Sequence, residues 1–463
     1  MGQSLWQILP TNPPDNYNCP YSATSAFANH PLLISLDLLL QDKLLHKNDL
    51  ASCPSFRDHQ VQFNEVKEWQ SQLLTKAAKT FLINNVPTNE NYKTFCKKNK
   101  YWLDEFALFT VLQKIQNGSD WIDWENPYKS RVQSYLDDIR SKYESDLEEV
   151  KVLQYLFHKQ WLKLKSYAKL KAVQIIGDIP IYVSFNSADV WANQHLFKLT
   201  KEGNMTVQSG CPPDFFIETG QIWGHPIYDW DRHEKSGYKW WVDRLAHLFE
   251  LVDIIRIDHF NGFAKYWEVS AEEENGINGK WVQGPGEKLF NAIVEEIGSK
   301  PILAEDLGEA SKDAALLRNI FSIPGMKILQ MSFSNGNPFE KMDPNNVVYT
   351  GTHDNDTSIG WYYAQPGNGN TQSVIEFHQE RKNAKKILKS NGKDVNWKMV
   401  EFTLNANANT SIIPMQDVLG LDSSARMNTP GTVGGNWEWR MVPGMLTKEI
   451  KKHLKELTEI SNR

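Results

Sequence analysis

The stretch Ile254-Ile255-Arg256-Ile257-Asp258-His259-Phe260 decides how the rest of the chain reads. It opens as a β-branched run, the composition of a strand buried on both faces of a parallel sheet. It ends in Arg, Asp and His, which a strand interior does not tolerate without partners. Charged groups at the C-terminal end of a buried strand are what the mouth of a (β/α) barrel carries. Two later stretches repeat the pattern at nearly equal intervals. Ile302-Leu303-Ala304 runs into Glu305-Asp306, and Val347-Val348-Tyr349-Thr350-Gly351-Thr352 runs into His353-Asp354-Asn355-Asp356. Three strands therefore each deliver a carboxylate near their C-terminal end, and such a set is the skeleton of a site that works on glycosidic bonds.

Working outward, Leu5-Trp6-Gln7-Ile8-Leu9-Pro10 reads as a short strand stopped by Pro10, followed by a turn-rich loop from Thr11 to Tyr21. Val173-Gln174-Ile175-Ile176-Gly177 is a further buried strand, with Asp178 at its end. Met326 to Phe333 and Ser411 to Asp417 add two more, the second weakened by Pro414. The strands begin near residues 5, 173, 254, 302, 327, 347 and 411, which makes seven where a closed barrel takes eight.

From Leu32 to Lys171 the pattern is helical. Leu153, Leu156, Phe157, Trp161, Leu164 and Ala168 fall at three- and four-residue steps on one apolar stripe. The expected organisation is a barrel start over 1–31, a mostly helical insertion over 32–171, and the remainder of the barrel over 172–463. A Gly-, Pro- and aromatic-rich active-site loop is expected at 203–241.

Composition narrows the function. A formal charge of −6 argues against a nucleic-acid groove, which needs clustered excess Lys and Arg. No run approaches the ~20 apolar residues of a membrane-spanning helix. The start MGQSLWQILP lacks the basic and apolar regions of a signal peptide. Cys19, Cys53, Cys96 and Cys211 lie far apart, so neither a disulfide framework nor a metal site is expected, and reduced thiols in the cytoplasm are the default. No cofactor is implied. The 17 Trp, 16 Tyr and 21 Phe are numerous enough to furnish a sugar cleft, because aromatic faces stack on the C–H faces of sugar rings.

The strings WQILP, CPYSATSAFANHPLLI, IIGDIPIYV, GCPPDFFIETGQIWGHP, RIDHFNGF, PGEKLF, ILAEDLG, PGMKILQ, VVYTGTHDNDTSIGWY and ARMNTPG…GNWEWR occur in this order. Together they resemble the 4-α-glucanotransferases of glycoside hydrolase family 77, from Trp6 to about the end of the chain. The resemblance implies an α/β fold of the (β/α)8 TIM-barrel type with helical insertions, acting on malto-oligosaccharides and α-1,4-glucans by a retaining double displacement. It implies Asp258 as nucleophile, Glu305 as general acid/base and Asp354 as the third carboxylate. Arg256 and His353 would flank the cleaved sugar, and Asp178 matches the aspartate of the first motif of the wider superclan. Asp214, Gln221 and Trp223 fall in the loop over the active site, Tyr21 falls in a substrate-contacting loop, and His259 is a further candidate beside the nucleophile.

The family opens with a strand and helix ahead of its Trp-Gln-x-Leu-Pro motif, whereas five residues precede Trp6 here. The eighth strand is therefore expected to be the first one, absent from this chain. Two rivals to the transferase stand beside it: an α-glucan hydrolase of the same superclan, and a shortened, inactive glucan-binding protein.

Overall fold

The computed structural model describes residues 1–84, 89–214, 217–308, 310–335, 339, 342–367 and 371–463. The strands, in chain order, are β1 (Leu5–Gln7), β2 (Gln174–Pro180), β3 (Val207–Cys211), β4 (Gln221–Pro226), β5 (Ile254–Asp258), β6 (Lys265–Ser270), β7 (Lys280–Gln283), β8 (Ile302–Ala304), β9 (Gly325–Ile328), β10 (Asn346–Tyr349) and β11 (Thr410–Ile412).

The β-branched runs form parallel strands, as their continuous apolarity predicts. They fall into two arcs, β1-β2-β5-β8 and β9-β10-β11, every pair parallel. The arcs adjoin where the Ala304 N–H donates to the Pro324 carbonyl at 2.9 Å. Ile176, Leu303, Met326, Val347 and Tyr349 from both arcs form one apolar cluster between them, with Leu5 and Ile412 packed against it. At the other end, β11 and β1 are not paired. A cleft of about 1200 Å³ separates them, lined by Leu5, Trp6, Ser411, Ile412 and Leu454, and it reaches inward to Arg256 and Tyr349.

The region between β1 and β2 is mostly helical. Its long helices are Phe63–Asn84, Glu90–Ile115 and Glu144–Leu170. Leu156, Phe157 and Ala168 of the apolar stripe are buried, while Leu164 is 38% exposed. Gly298 caps Glu287–Ile297 at φ 73°, a conformation that favours glycine.

Three expectations change. The strand from Met326 ends at Ile328 and passes into the 3-10 turns Leu329–Met331 and Phe333–Asn335. The polar Gln330 explains this: buried, it turns to donate from Nε2 to the Asp356 carbonyl at 2.8 Å. The strand at 411 stops at Ile412, and Pro414 instead caps the helix Met415–Leu419.

The expected loop at 203–241 is largely ordered secondary structure, although its Phe215 and Phe216 lie outside the described residues. β3 and β4 join β6 and β7 in an antiparallel sheet of order β4-β3-β6-β7. The pairing β3–β6 joins Val207 to Ser270 and Gly210 to Trp267, partners that local patterning cannot reveal. At Gly210 a Cβ would collide with the Gln221 carbonyl, so the close approach of β3 and β4 needs glycine there.

Candidate active site

Parallel register places Asp178 of β2 directly beside Arg256 of β5. Asp258, two residues further along β5, projects to the same face because strand side chains alternate. The Arg256 Nη1 donates to both oxygens of Asp178 at 2.7 Å and to Asp258 Oδ1 at 3.0 Å. Arg256 and Asp178 are buried, whereas the Asp258 side chain is 27% exposed. Burial works against the guanidinium charge, but the carboxylates of Asp178 and Asp258 outweigh it and hold Arg256 firmly protonated. The result is a partly exposed carboxylate braced by a buried cation.

Glu305 follows the last residue of β8, the neighbour of β5. Its backbone bridges back to β5, with the Glu305 N–H on the Ile257 carbonyl at 3.0 Å and the Phe260 N–H on the Glu305 carbonyl at 2.9 Å. Its carboxyl accepts the His259 N–H at 2.7 Å on Oε2 and the Leu307 N–H at 3.2 Å on Oε1. Loss of water, then the charge of Asp258, pushes the Glu305 pKa up to about 8; Arg256 and the two N–H donors oppose the rise. At neutral pH this carboxyl keeps its proton.

A second group, joined to the first through Asp178, is built from three segments far apart in sequence. Tyr21 donates its hydroxyl to Asp178 Oδ2 at 2.9 Å and lies 3.3 Å from His353 Nδ1. Its ring stacks on His353 with centroids 4.7 Å apart. Trp437 packs 5.7 Å from each of these two rings. Asp354 accepts from Asn428 Nδ2 at 2.6 Å on Oδ1, and its Oδ2 is 3.4 Å from His353 Nε2. Arg426 fixes the same turn from behind, donating to the Asp354 carbonyl at 2.6 Å. The Asp354 side chain remains 37% exposed.

The antiparallel sheet brings the third group. Gln221 Nε2 donates to Asp214 Oδ2 at 3.0 Å, and Trp223 Nε1 donates to Gln221 Oε1 at 3.1 Å. The Trp223 ring meets His259 edge to face at 4.8 Å. Burial lowers the His259 pKa to about 4, so its ring is neutral at pH 7.

The sequence-derived candidates are therefore linked by contact: Asp178, Arg256, Asp258, His259, Glu305, Trp223 and Gln221 in one group, and Tyr21, His353 and Asp354 joined to it through the Tyr21 bond to Asp178. Asp214 joins through Gln221. Asp178 and Arg256 are the buried pair of the set, and Asp178 is occupied by Arg256 and Tyr21. Asn428, Arg426 and Trp437 escaped the sequence reading as individual site residues. Their only signal was membership of the ARMNTPG and GNWEWR strings. Among the described residues no group of three or more metal-ligating side chains occurs.

Residues 1–446 match a family model described as 4-alpha-glucanotransferase. A 4-alpha-glucanotransferase of Streptococcus pneumoniae serotype 4 is 39% identical over 469 aligned positions, covering 100% of this chain and 90% of that protein. The chloroplastic/amyloplastic 4-alpha-glucanotransferase of Arabidopsis thaliana is 42% identical over 449, covering 95% of this chain and 75% of the relative. Among solved structures, an amylomaltase from Streptococcus agalactiae in complex with acarbose superposes with a TM-score of 0.92 at 34% identity, over 100% of this chain and 92% of that one. The amylomaltase of Corynebacterium glutamicum, at 17% identity and a TM-score of 0.76, supports the fold alone. On the strength of these matches, the chain belongs to the 4-alpha-glucanotransferases of glycoside hydrolase family 77.

Proposed function

We propose that this protein is a retaining 4-α-glucanotransferase that moves α-1,4-glucan segments from one malto-oligosaccharide or starch-like chain to another sugar. The observation that carries this reading is the contrast between two neighbouring carboxyls. Asp258 is braced by Arg256, while Glu305 is held protonated by its surroundings. Such a split supports reading Asp258 as the nucleophile and Glu305 as the acid.

Asp258 attacks the anomeric carbon, forming an ester bond as the glycosidic C–O bond breaks. Glu305 gives its proton to the departing 4-oxygen. Glu305, now ionised, takes the proton of an incoming 4-hydroxyl, whose oxygen displaces Asp258 and restores the α configuration. In this reading Asp354, fixed by Asn428, stabilises the charge that develops on the ring. Asp178 acts through Arg256 and Tyr21, holding both in place. Trp223 and Gln221, with Asp214 behind them, and the stacked Tyr21 and His353, are the sugar-binding surfaces of this reading. Water must be kept from the intermediate, a role this reading gives to β4, whose Trp223 rests on His259. Neither the hydrolase nor the binding-protein alternative is favoured by the family match.

Incubation with maltotriose tests the reading. Transfer yields glucose together with longer oligomers at constant reducing ends. Maltose and glucose with rising reducing ends would instead mean hydrolysis, and binding without products would mean neither.

The same reading covers the architecture and setting. We infer that the two parallel arcs belong to one barrel, with the β11–β1 cleft as the seat of one further parallel strand. In support, both bordering strands run parallel to their own neighbours, and both present side chains to the shared apolar cluster. A reducing, cytoplasmic setting fits the four free thiols.

A further inference from the structure

His259 is an unusual residue to find beside a nucleophile, because its φ of 49° lies in the left-handed region. Non-glycine residues enter that region rarely, and there the strain persists only when surrounding contacts enforce it. The next residue, Phe260, is right-handed, at φ −51° and ψ −27°. A left-handed residue followed by a right-handed one turns successive N–H groups to the same side, forming a concave anion-binding nest. Continued extension of β5 would send them to opposite edges instead. Here both converge on a single residue: the His259 N–H meets Glu305 Oε2 at 2.7 Å, and the Phe260 N–H meets the Glu305 carbonyl at 2.9 Å. The imidazole points elsewhere, resting on Trp223. Its Nε2 is buried without a hydrogen-bond partner.

We propose that His259 is a positioning residue for proton transfer, and that its left-handed backbone, rather than its imidazole, holds the Glu305 carboxyl where the leaving oxygen needs it. The inference rests on the reading of Glu305 as the acid/base. The N–H bond to Oε2 is made to the ionised form most strongly, so it has two effects. It fixes which oxygen stays anchored, leaving Oε1, with its longer bond to Leu307, as the oxygen freer to carry the proton. It also counters the burial and the Asp258 charge that resist ionisation, and so keeps Glu305 able to act as base in the second half of the reaction. The groups facing Glu305 are Asp258 and Arg256 from β5 and the N–H groups of His259 and Leu307, with Asp178 of β2 behind Arg256. The Trp223 ring packs against the His259 imidazole.

The test separates ring from backbone with His259→Gly, His259→Ala and His259→Val. All three remove the imidazole, but tolerance of positive φ falls steeply from Gly to Val. The readouts are the pH profile of kcat/KM on maltotriose and the ratio of maltotriose to α-glucosyl fluoride turnover. Fluoride needs little proton donation as it leaves. The expected result is graded. His259→Gly keeps the alkaline limb within about 0.3 pH unit of the parent, whereas His259→Val moves it up by about one unit, as loss of a bond to the charged form requires. His259→Val also lowers turnover of maltotriose roughly tenfold more than that of fluoride, as displaced proton donation does.

If His259→Val gives no cooperative melt, the Gly and Ala pair decides the matter through a smaller displacement in the same order. Equal displacement by Gly and the bulkier variants would overturn the proposal and give the role to the ring. No displacement by any variant would overturn it as well. Glu305→Gln is the control for the underlying reading. If it fails to spare the fluoride selectively, Glu305 is not the acid. If it does spare the fluoride while the His259 series is flat, only the positioning role falls.

Discussion

The parallel strands meet without a continuous ladder at two places, and the molecule treats the two differently. Between β8 and β9 the gap is closed by a backbone bond from Ala304 to Pro324 and by a buried carboxylate. Asp306 accepts the Met326 N–H at 2.9 Å on one oxygen and Arg318 Nε at 2.8 Å on the other. Between β11 and β1 there is a cleft, and the contacts across it come from side chains. Tyr349 of β10 reaches over to Gln7 of β1, its hydroxyl donating at 2.8 Å, and Gln3 reaches Thr458 of the C-terminal helix at 2.9 Å. Trp6 is left 45% exposed. A carboxylate with a fixed arginine can stand in for ladder bonds because it satisfies a strand N–H and is itself satisfied. A cleft open to water needs no such substitute, since solvent serves the unpaired groups. The proposed nucleophile and acid hang from β5 and β8, beside the closed seam. Precision is therefore expected to depend on that side and to depend less on the open one.

The largest effect expected is chemical. Asp258→Asn should abolish transfer while leaving the thermal midpoint close to that of the parent, because the amide keeps the shape but cannot attack. Residual transfer near the parental rate in a pure preparation would remove Asp258 from its role.

Next comes the closed seam itself. Arg318→Met leaves Asp306 buried without its cation, and losses of about 3–5 kcal/mol follow when one partner of a buried pair is removed. Urea titration measures this; a loss below ~1 kcal/mol would show that the seam does not rely on the pair.

The acid gives a pH test of intermediate size. The folded-state pKa of Glu305 is about 8 against an ordinary 4.5, so the folded protein holds this proton more tightly than the unfolded chain. Stability contributed by that protonated group is full below pH 4.5, declines as pH rises towards 8, and is gone above it. The slope between these limits should flatten in Glu305→Gln, which cannot ionise. An unchanged slope would mean that Glu305 is not the group responsible.

The smallest effect belongs to the open seam. Tyr349→Phe removes the one hydroxyl bond to Gln7 and should cost about 1 kcal/mol. A cost equal to that of Arg318→Met would dissolve the distinction between the seams.

Much of the fold was legible in the sequence, and the particulars show why. The buried strands announced themselves by β-branched runs, and Asp258 and Glu305 by breaking those runs with charge. These are local signals, carried by residues within a few positions of one another. The sequence reading went astray where the answer lay far along the chain. The β3–β6 pairing turns an apparent loop into a sheet, and Gln330 ends β9 by finding Asp356.

For the site, the sequence by itself determined which chemical groups stand at the strand ends. Only the tertiary structure decided their states and partners: Arg256 shared between Asp178 and Asp258, Asn428 on Asp354, Arg318 on Asp306, and the left-handed His259 on Glu305. The physical reason is that a strand's identity follows from short-range periodicity. A carboxyl's protonation and aim follow instead from which charges, N–H groups and apolar walls the folded chain brings within a few ångströms of it.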